Sequence, residues 1–184
     1  PDCQRVRGLT LLTRAGELVS LQPGPQPGQY TLYPGASAGG EPLGVIQASP
    51  ENLRPAWLST GQRFLLVSGG SGYVYSTELW DLQQGARLKR WNGYLGSLAV
   101  NADETLLALV LERQFVVFNL AENRALTSLD FDHSVGGTPR FNAWFQPAFT
   151  PDGRLIYGLI SNTGSVGDPY NHDLVQFDPL SQRA

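Results

Sequence analysis

Ala148-Phe149-Thr150-Pro151-Asp152-Gly153-Arg154-Leu155-Ile156-Tyr157 is the stretch that decides the architecture. An apolar strand enters a Pro-Asp-Gly turn, where proline presets φ and glycine accepts a left-handed backbone, and a second apolar strand leaves it. The same frame occurs three more times upstream. Leu58-Ser59-Thr60-Gly61-Gln62-Arg63-Phe64-Leu65-Leu66 is one copy and Val100-Asn101-Ala102-Asp103-Glu104-Thr105-Leu106-Leu107-Ala108 is another. Leu12-Thr13-Arg14-Ala15-Gly16-Glu17-Leu18-Val19-Ser20 is a weaker third. With Arg14, Thr60, Ala102 and Pro151 taken as equivalent, the spacings are 46, 42 and 49 residues. A two-strand turn recurring every ~40–50 residues marks stacked four-stranded units.

Each unit supplies two further strands. In the second they are Ser76–Leu82 and Ala86–Trp91 around a turn at Gln83-Gln84-Gly85. In the third they are Gln114–Leu120 and Arg124–Phe131 around Ala121-Glu122-Asn123. The first unit places them near Tyr30–Tyr33 and Pro42–Gln47, and the fourth supplies Asp173–Asp178 before a turn at Pro179–Gln182. The expected organisation is an N-terminal extension (1–8) and blades over 9–48, 54–92, 96–131 and 143–184. That is an all-β chain with about 3.75 antiparallel blades.

The pattern resembles the WD40-like and YVTN-type β-propeller repeats over about residues 9–184. The first-turn motif is matched by Phe149 to Arg154, and the third-strand Trp-Asp by Trp80-Asp81, with Phe118-Asn119 and Phe177-Asp178 as weaker copies. The Gly-His dipeptide and buried Asp of strict WD40 repeats have no evident match, so the resemblance is to the broader class. It implies the propeller fold and assigns no catalytic residue. Propellers close with about four to eight blades, so further blades are expected from a longer chain or from a partner.

Composition agrees with this reading. The chain has 184 residues, of which 41% are hydrophobic and 16% charged, with 21 Gly and 13 Pro. Few charges argue against long charged helices and coiled coils, and frequent Gly and Pro argue for many turns. Thirteen basic and sixteen acidic residues leave a net charge of −3, which supplies no overall basic field for nucleic acid. No run approaches the ~20 apolar residues of a membrane helix. Cys3 is the only cysteine, which excludes an internal disulfide and a thiolate metal cluster. The first residue is not Met, and Lys89 is the only lysine. A periplasmic or secreted location is the expectation, with a cytoplasmic one as the alternative.

Most of the long connections fall on one rim of the expected blades: Gln22–Gln29, Ser68–Tyr75, Asp132–Asn142 and Ser161–His172. Loops tolerate variation that strands do not, so this rim is the expected binding face. Its candidates are Tyr73, Tyr75, Asp132, His133, Arg140, Asp168, Tyr170, Asn171 and His172. The leading reading is a non-catalytic scaffold that binds a protein or other macromolecule through this face, with no cofactor. The alternative is an enzyme, or a cofactor- or metal-binding domain, using His133 and His172. Imidazoles beside Asp132 and Asp168 are the material of a metal site or an acid–base pair, but the spacing matches no metal motif. The oxygen-rich run Ser161–Asp168 lacks the regular carboxylate spacing of a calcium loop.

Ser68-Gly69-Gly70-Ser71-Gly72 has no Gly-Lys-Ser/Thr end and precedes a strand, so it is read as a flexible loop rather than a phosphate cradle. No Gly-x-Ser-x-Gly elbow occurs. Arg87, Lys89, Arg90 and Trp91 are the one basic, aromatic cluster. Simple alternation places Arg87, Lys89 and Trp91 on one face of a solvated outer strand.

Overall fold

A computed structural model describes residues 9–35, 40–49, 52–112, 114–130, 147–161 and 171–177. All regular structure among them is antiparallel β. The first sheet holds β1 (Leu9–Leu12), β2 (Leu18–Pro23), β3 (Gln29–Pro34) and β4 (Gly44–Gln47). The second holds β5 (Arg54–Leu58), β6 (Phe64–Ser71), β7 (Val74–Asp81) and β8 (Ala86–Asn92). The third holds β9 (Leu95–Val100), β10 (Leu106–Leu111), β11 (Gln114–Asn119) and β12 (Arg124–Asp130). The fourth has three strands among the described residues: β13 (Ala148–Phe149), β14 (Leu155–Ser161) and β15 (Asn171–Phe177). Within every sheet, chain order equals spatial order, as expected for propeller blades.

The chain divides into two compact units, 1–94 and 95–184. In the first unit, Val19, Leu21, Leu32 and Ile46 from the first sheet pack with Leu58, Leu65, Val67 and Trp80 from the second and with Leu82 just past β7. In the second unit, Ala108, Val110, Phe115 and Val117 pack with Leu155. These strands read as near-continuous apolar runs because a central strand of a stacked sheet is covered on both faces. Leu65, Val67, Leu107 and Leu109 are fully buried, as their place in second strands requires. The side chains of Ile156 and Leu159, expected to join them, lie outside the described residues.

The repeated turn has one physical design. The carbonyls of Thr13, Ser59, Asn101 and Thr150 accept from the N–H groups of Gly16, Gln62, Glu104 and Gly153, at 3.0, 2.8, 3.2 and 2.9 Å. The four donors hold φ of 81°, 55°, 56° and 82°, the left-handed region. Glycine enters that region without steric cost, while Gln62 and Glu104 do so against it.

The side chain at the first turn position then caps the turn in three copies. Thr13 Oγ1 accepts from the Glu17 amide, Ser59 Oγ from those of Arg63 and Phe64, and Asn101 Oδ1 from those of Thr105 and Leu106. In the fourth copy Thr150 donates to Asp152 Oδ1. Hydrogen bonds from Thr105 and Thr150 hold the Asp103 and Asp152 carboxyls below their ordinary range. The Asp of Trp80-Asp81 has an analogous task in the next hairpin. Asp81 Oδ1 accepts from the Gln83 and Gln84 amides, as Asn119 Oδ1 does from Glu122.

The structure corrects the flexible-loop reading of Ser68–Gly72. Ser68, Gly69, Gly70 and Ser71 pair with Thr77, Ser76, Tyr75 and Val74, so β6 runs on to Ser71. Polar and glycine-rich composition hid a strand whose pairing is made by the backbone and by Ser68 Oγ···Thr77 Oγ1 at 3.1 Å. The shared face of Arg87, Lys89 and Trp91 is also corrected. The register slips between Leu79 and Trp80: Leu79 faces Lys89, but Trp80 faces Arg87. Leu88 is thus an inserted residue, and a bulge reverses the alternation. Arg87 and Arg90 take the face of Trp80 and Glu78, and Lys89 and Trp91 take the other.

Candidate functional site

Four exposed apolar or aromatic side chains lie at one end of the second sheet. The β6–β7 hairpin closes through only two residues, Gly72 and Tyr73, with Gly72 at φ 59° in the position where a type II′ turn requires glycine. A turn this tight leaves the Tyr73 side chain nowhere to fold back. Tyr73 is 103% exposed and Val74 73%. Tyr75 and Tyr94 are exposed as well, and their rings meet edge to face with centroids 6.0 Å apart at 80°.

The tip is held from below. A Cβ on Gly70 would lie 2.1 Å from the Val74 carbonyl oxygen and 2.9 Å from the Tyr75 ring, so glycine alone permits this approach across the pair. The Gly93 amide donates to the Tyr75 carbonyl at 2.8 Å, and Thr77 Oγ1 donates to the Gly93 carbonyl at 3.2 Å. These bonds fasten the segment carrying Tyr94 to β7. Asn52 Nδ2 reaches the Gly70 carbonyl at 3.3 Å from the connection entering β5.

Rigid tyrosines suit binding: each presents a large amphipathic surface with few rotors left to order, and the phenol supplies a donor and acceptor. Solitary exposed apolar residues need no explanation, but a cluster marks an interaction surface.

The opposite end of the same sheet is different in kind. Arg63 joins the β5–β6 turn to the β7–β8 turn: its Nε and Nη2 lie 2.9 and 2.8 Å from Asp81 Oδ2. Burial works against charge on Asp81. The hydrogen bond and charge of Arg63, with the two turn amides, outweigh it and hold the carboxyl below its ordinary value of 3.8. Every polar group named there is consumed in holding turns.

Of the expected binding-face residues, Tyr73 and Tyr75 stand together on this tip, Tyr75 on β7 itself rather than in a long loop. Asp132, His133, Arg140, Asp168 and Tyr170 lie outside the described residues. The backbones of Asn171 and His172 belong to β15, opposite Ser161 and Ile160, so the expected loop ends before them. Their side chains lie outside the described residues. Among the described residues, no three His, Cys, Asp or Glu side chains gather as a metal site would require. Val74 and Tyr94 were not anticipated. Alternation through Tyr73-Val74-Tyr75 beside a glycine turn, and the Asn92-Gly93 turn signal before Tyr94, are the cues that point to them.

No protein-family model and no curated protein matches the sequence. Solved structures do. Hsv2 of Kluyveromyces lactis superposes with a TM-score of 0.51 at 14% identity, over 91% of this chain and 60% of that one. Hydrazine synthase of Kuenenia stuttgartiensis superposes with a TM-score of 0.52 at 12% identity, over 92% of this chain and 50% of that one. The fold is that of a β-propeller. The chain spans half to three-fifths of the length of these solved chains. At such identity the likeness is one of fold, and propellers carry many unrelated functions.

Proposed function

We propose that this chain is a non-catalytic propeller scaffold, of the WD40-like or YVTN-type repeat class, that binds a protein partner through the face bearing Tyr73, Val74, Tyr75 and Tyr94. One observation carries the reading: four exposed apolar or aromatic side chains lie at one end of the second sheet, on a hairpin pinned by Gly70 and on the Tyr94 segment bonded to it through Gly93. Aromatic anchors of this kind dominate protein interfaces, because a preorganised ring buries much area and loses little freedom. Further propeller blades belong among the partners of this reading. Export is proposed as the location, supported by a single cysteine and a single lysine in 184 residues; cell fractionation tests it.

The test is affinity capture of partners from the source cell by the wild-type chain and by a Tyr73→Ser/Val74→Thr/Tyr94→Ser variant. The three residues are exposed and outside the core, so melting temperature should be unchanged. A partner captured by the wild type and lost by the variant supports the reading. The same partners retained by both overturn it.

A further inference from the structure

The outer edge of the second sheet differs from those of its neighbours. β4 is a short last strand without a charge, Gly44-Val45-Ile46-Gln47. β12 carries one cation, Arg124, which is already paired with Glu122. β8 is the last strand of its sheet, with β7 as its one strand neighbour among the described residues, and holds Arg87, Lys89 and Arg90 in four consecutive positions.

The carboxylates of its own sheet do not balance it. Arg54–Asn92 contains five cations and only two carboxylates, Glu78 and Asp81, both buried. Asp81 is taken by Arg63. Glu78 is shared between Arg87 at 2.9 Å and Arg90 at 3.8 Å. Lys89 is exposed and has no ion pair among the described residues. The bulge at Leu88 sends Arg87 and Arg90 to one face and Lys89 to the other, so the edge is positive on both sides.

We propose that the β8 edge receives an extended, acidic polypeptide segment of another protein, which adds to the second sheet as a fifth strand. Main-chain hydrogen bonds supply the docking, and the cations select the sequence. Positive charges and a bulge on an edge repel strands of like charge, including a second β8. The same charges that exclude those strands attract one whose side chains alternate with carboxylates, so repulsion and attraction act together as specificity. A nucleic acid offers phosphates but no backbone ladder, and the chain's net charge is −3. The charged edge of β8 shares no residue with the tyrosine tip.

The experiment measures fluorescence anisotropy of labelled probes with the 184-residue chain at low and physiological salt. The probes are a peptide alternating glutamate with threonine, the same peptide N-methylated at alternate backbone amides, its lysine-for-glutamate counterpart, and single-stranded oligothymidylate. The acidic peptide is expected to bind saturably and more weakly as salt screens the charges. N-methylation should weaken binding at least about tenfold by removing ladder donors. Lys89→Glu, at an exposed position that leaves the melting temperature unchanged, should weaken it about fivefold. Saturable binding lost on methylation and weakened by Lys89→Glu establishes the site. No saturable binding of the acidic peptide, equal binding of its methylated form or of oligothymidylate, or indifference to Lys89→Glu overturns it.

Discussion

Arg87 and Glu78 are an asymmetric pair, and the asymmetry predicts which substitution hurts. The Glu78 side chain is 0% exposed while that of Arg87 is 37% exposed. Glu78 Oε1 receives Arg87 Nη1 at 2.9 Å, and Glu78 Oε2 receives the Trp80 indole N–H at 3.1 Å. Arg87 also donates to Ser49 Oγ at 2.8 Å, tying the second sheet to the segment that leaves the first. Arg87→Met keeps the side chain's length but leaves a buried carboxylate without its principal partner. Removing one partner of a buried pair costs ~3–5 kcal/mol. Arg90 remains 3.8 Å away and Arg87 is partly solvated, so ~2–3 kcal/mol is expected here. Glu78→Gln removes the charge instead, keeps a carbonyl for the Trp80 N–H, and leaves Arg87 able to turn to water, at a cost of ~1 kcal/mol.

The discriminating variant is the double one. If the damage in Arg87→Met comes from an uncompensated buried charge, adding Glu78→Gln neutralises that charge. The double variant then becomes more stable than Arg87→Met alone, against ordinary additivity of two losses. Urea unfolding followed by far-UV circular dichroism, with a common slope for all four proteins, measures this cycle. A double variant no more stable than Arg87→Met would refute the reasoning and leave Arg87 with a packing role alone.

Other expectations follow from the turns and the core. Gln62→Gly and Glu104→Gly should each stabilise by up to ~1 kcal/mol, because relief at positive φ exceeds the added freedom of the unfolded chain; Gly16→Ala and Gly153→Ala should each cost ~1 kcal/mol with no clash involved, both read from thermal melts. Leu107→Ala should cost ~2–5 kcal/mol in the same assay through lost contacts and a cavity, while Tyr73→Ala should lie within ~0.5 kcal/mol of wild type. Asp81 has its folded pKa lowered from 3.8, so its contribution is present above that value and lost as pH falls through the folded value; unfolding free energy should drop below about pH 4, and less steeply in Asp81→Asn.

The repeat was legible because its signals are local. Pro151-Asp152-Gly153 and its three relatives carry their own turn chemistry, and Leu65–Val67 or Leu106–Leu111 cannot be anything but buried. What escaped the sequence depends on a partner strand. Ser68–Ser71 is polar and glycine-rich, so its strand character comes from its register with Val74–Thr77 rather than from any propensity of its own. The bulge at Leu88 has no composition signal, and one inserted residue exchanged the faces of Lys89 and Arg90. Tyr73 and Tyr75 are legible in the sequence as candidates, but Tyr94 comes beside Tyr75 because the Gly93 amide bonds back to the Tyr75 carbonyl, a contact 18 residues away in sequence. The histidine pair was proposed from residue type alone, without spacing to support it.

The two ends of the second sheet differ in what folding asks of their side chains. At one end Ser59, Arg63 and Asp81 are all engaged in capping or bridging turns, and Ser59 and Asp81 are buried. Changing such a residue alters the blade before it alters any surface, so that end is constrained by folding. At the other end the hairpin is closed by backbone geometry, through Gly70, Gly72 and the amide of Gly93, and asks nothing of the Tyr73 or Val74 side chains. A position whose side chain is not needed by the fold would be expected to drift toward polar residues at a solvent-exposed tip. Here it holds tyrosine, valine and tyrosine in succession, with a further tyrosine brought alongside by a hydrogen bond. Stability gives no reason for apolar groups at full exposure, whereas desolvation against a partner does. The excess of apolar surface where folding demands none is the physical ground for the proposal that this end of the blade binds a partner.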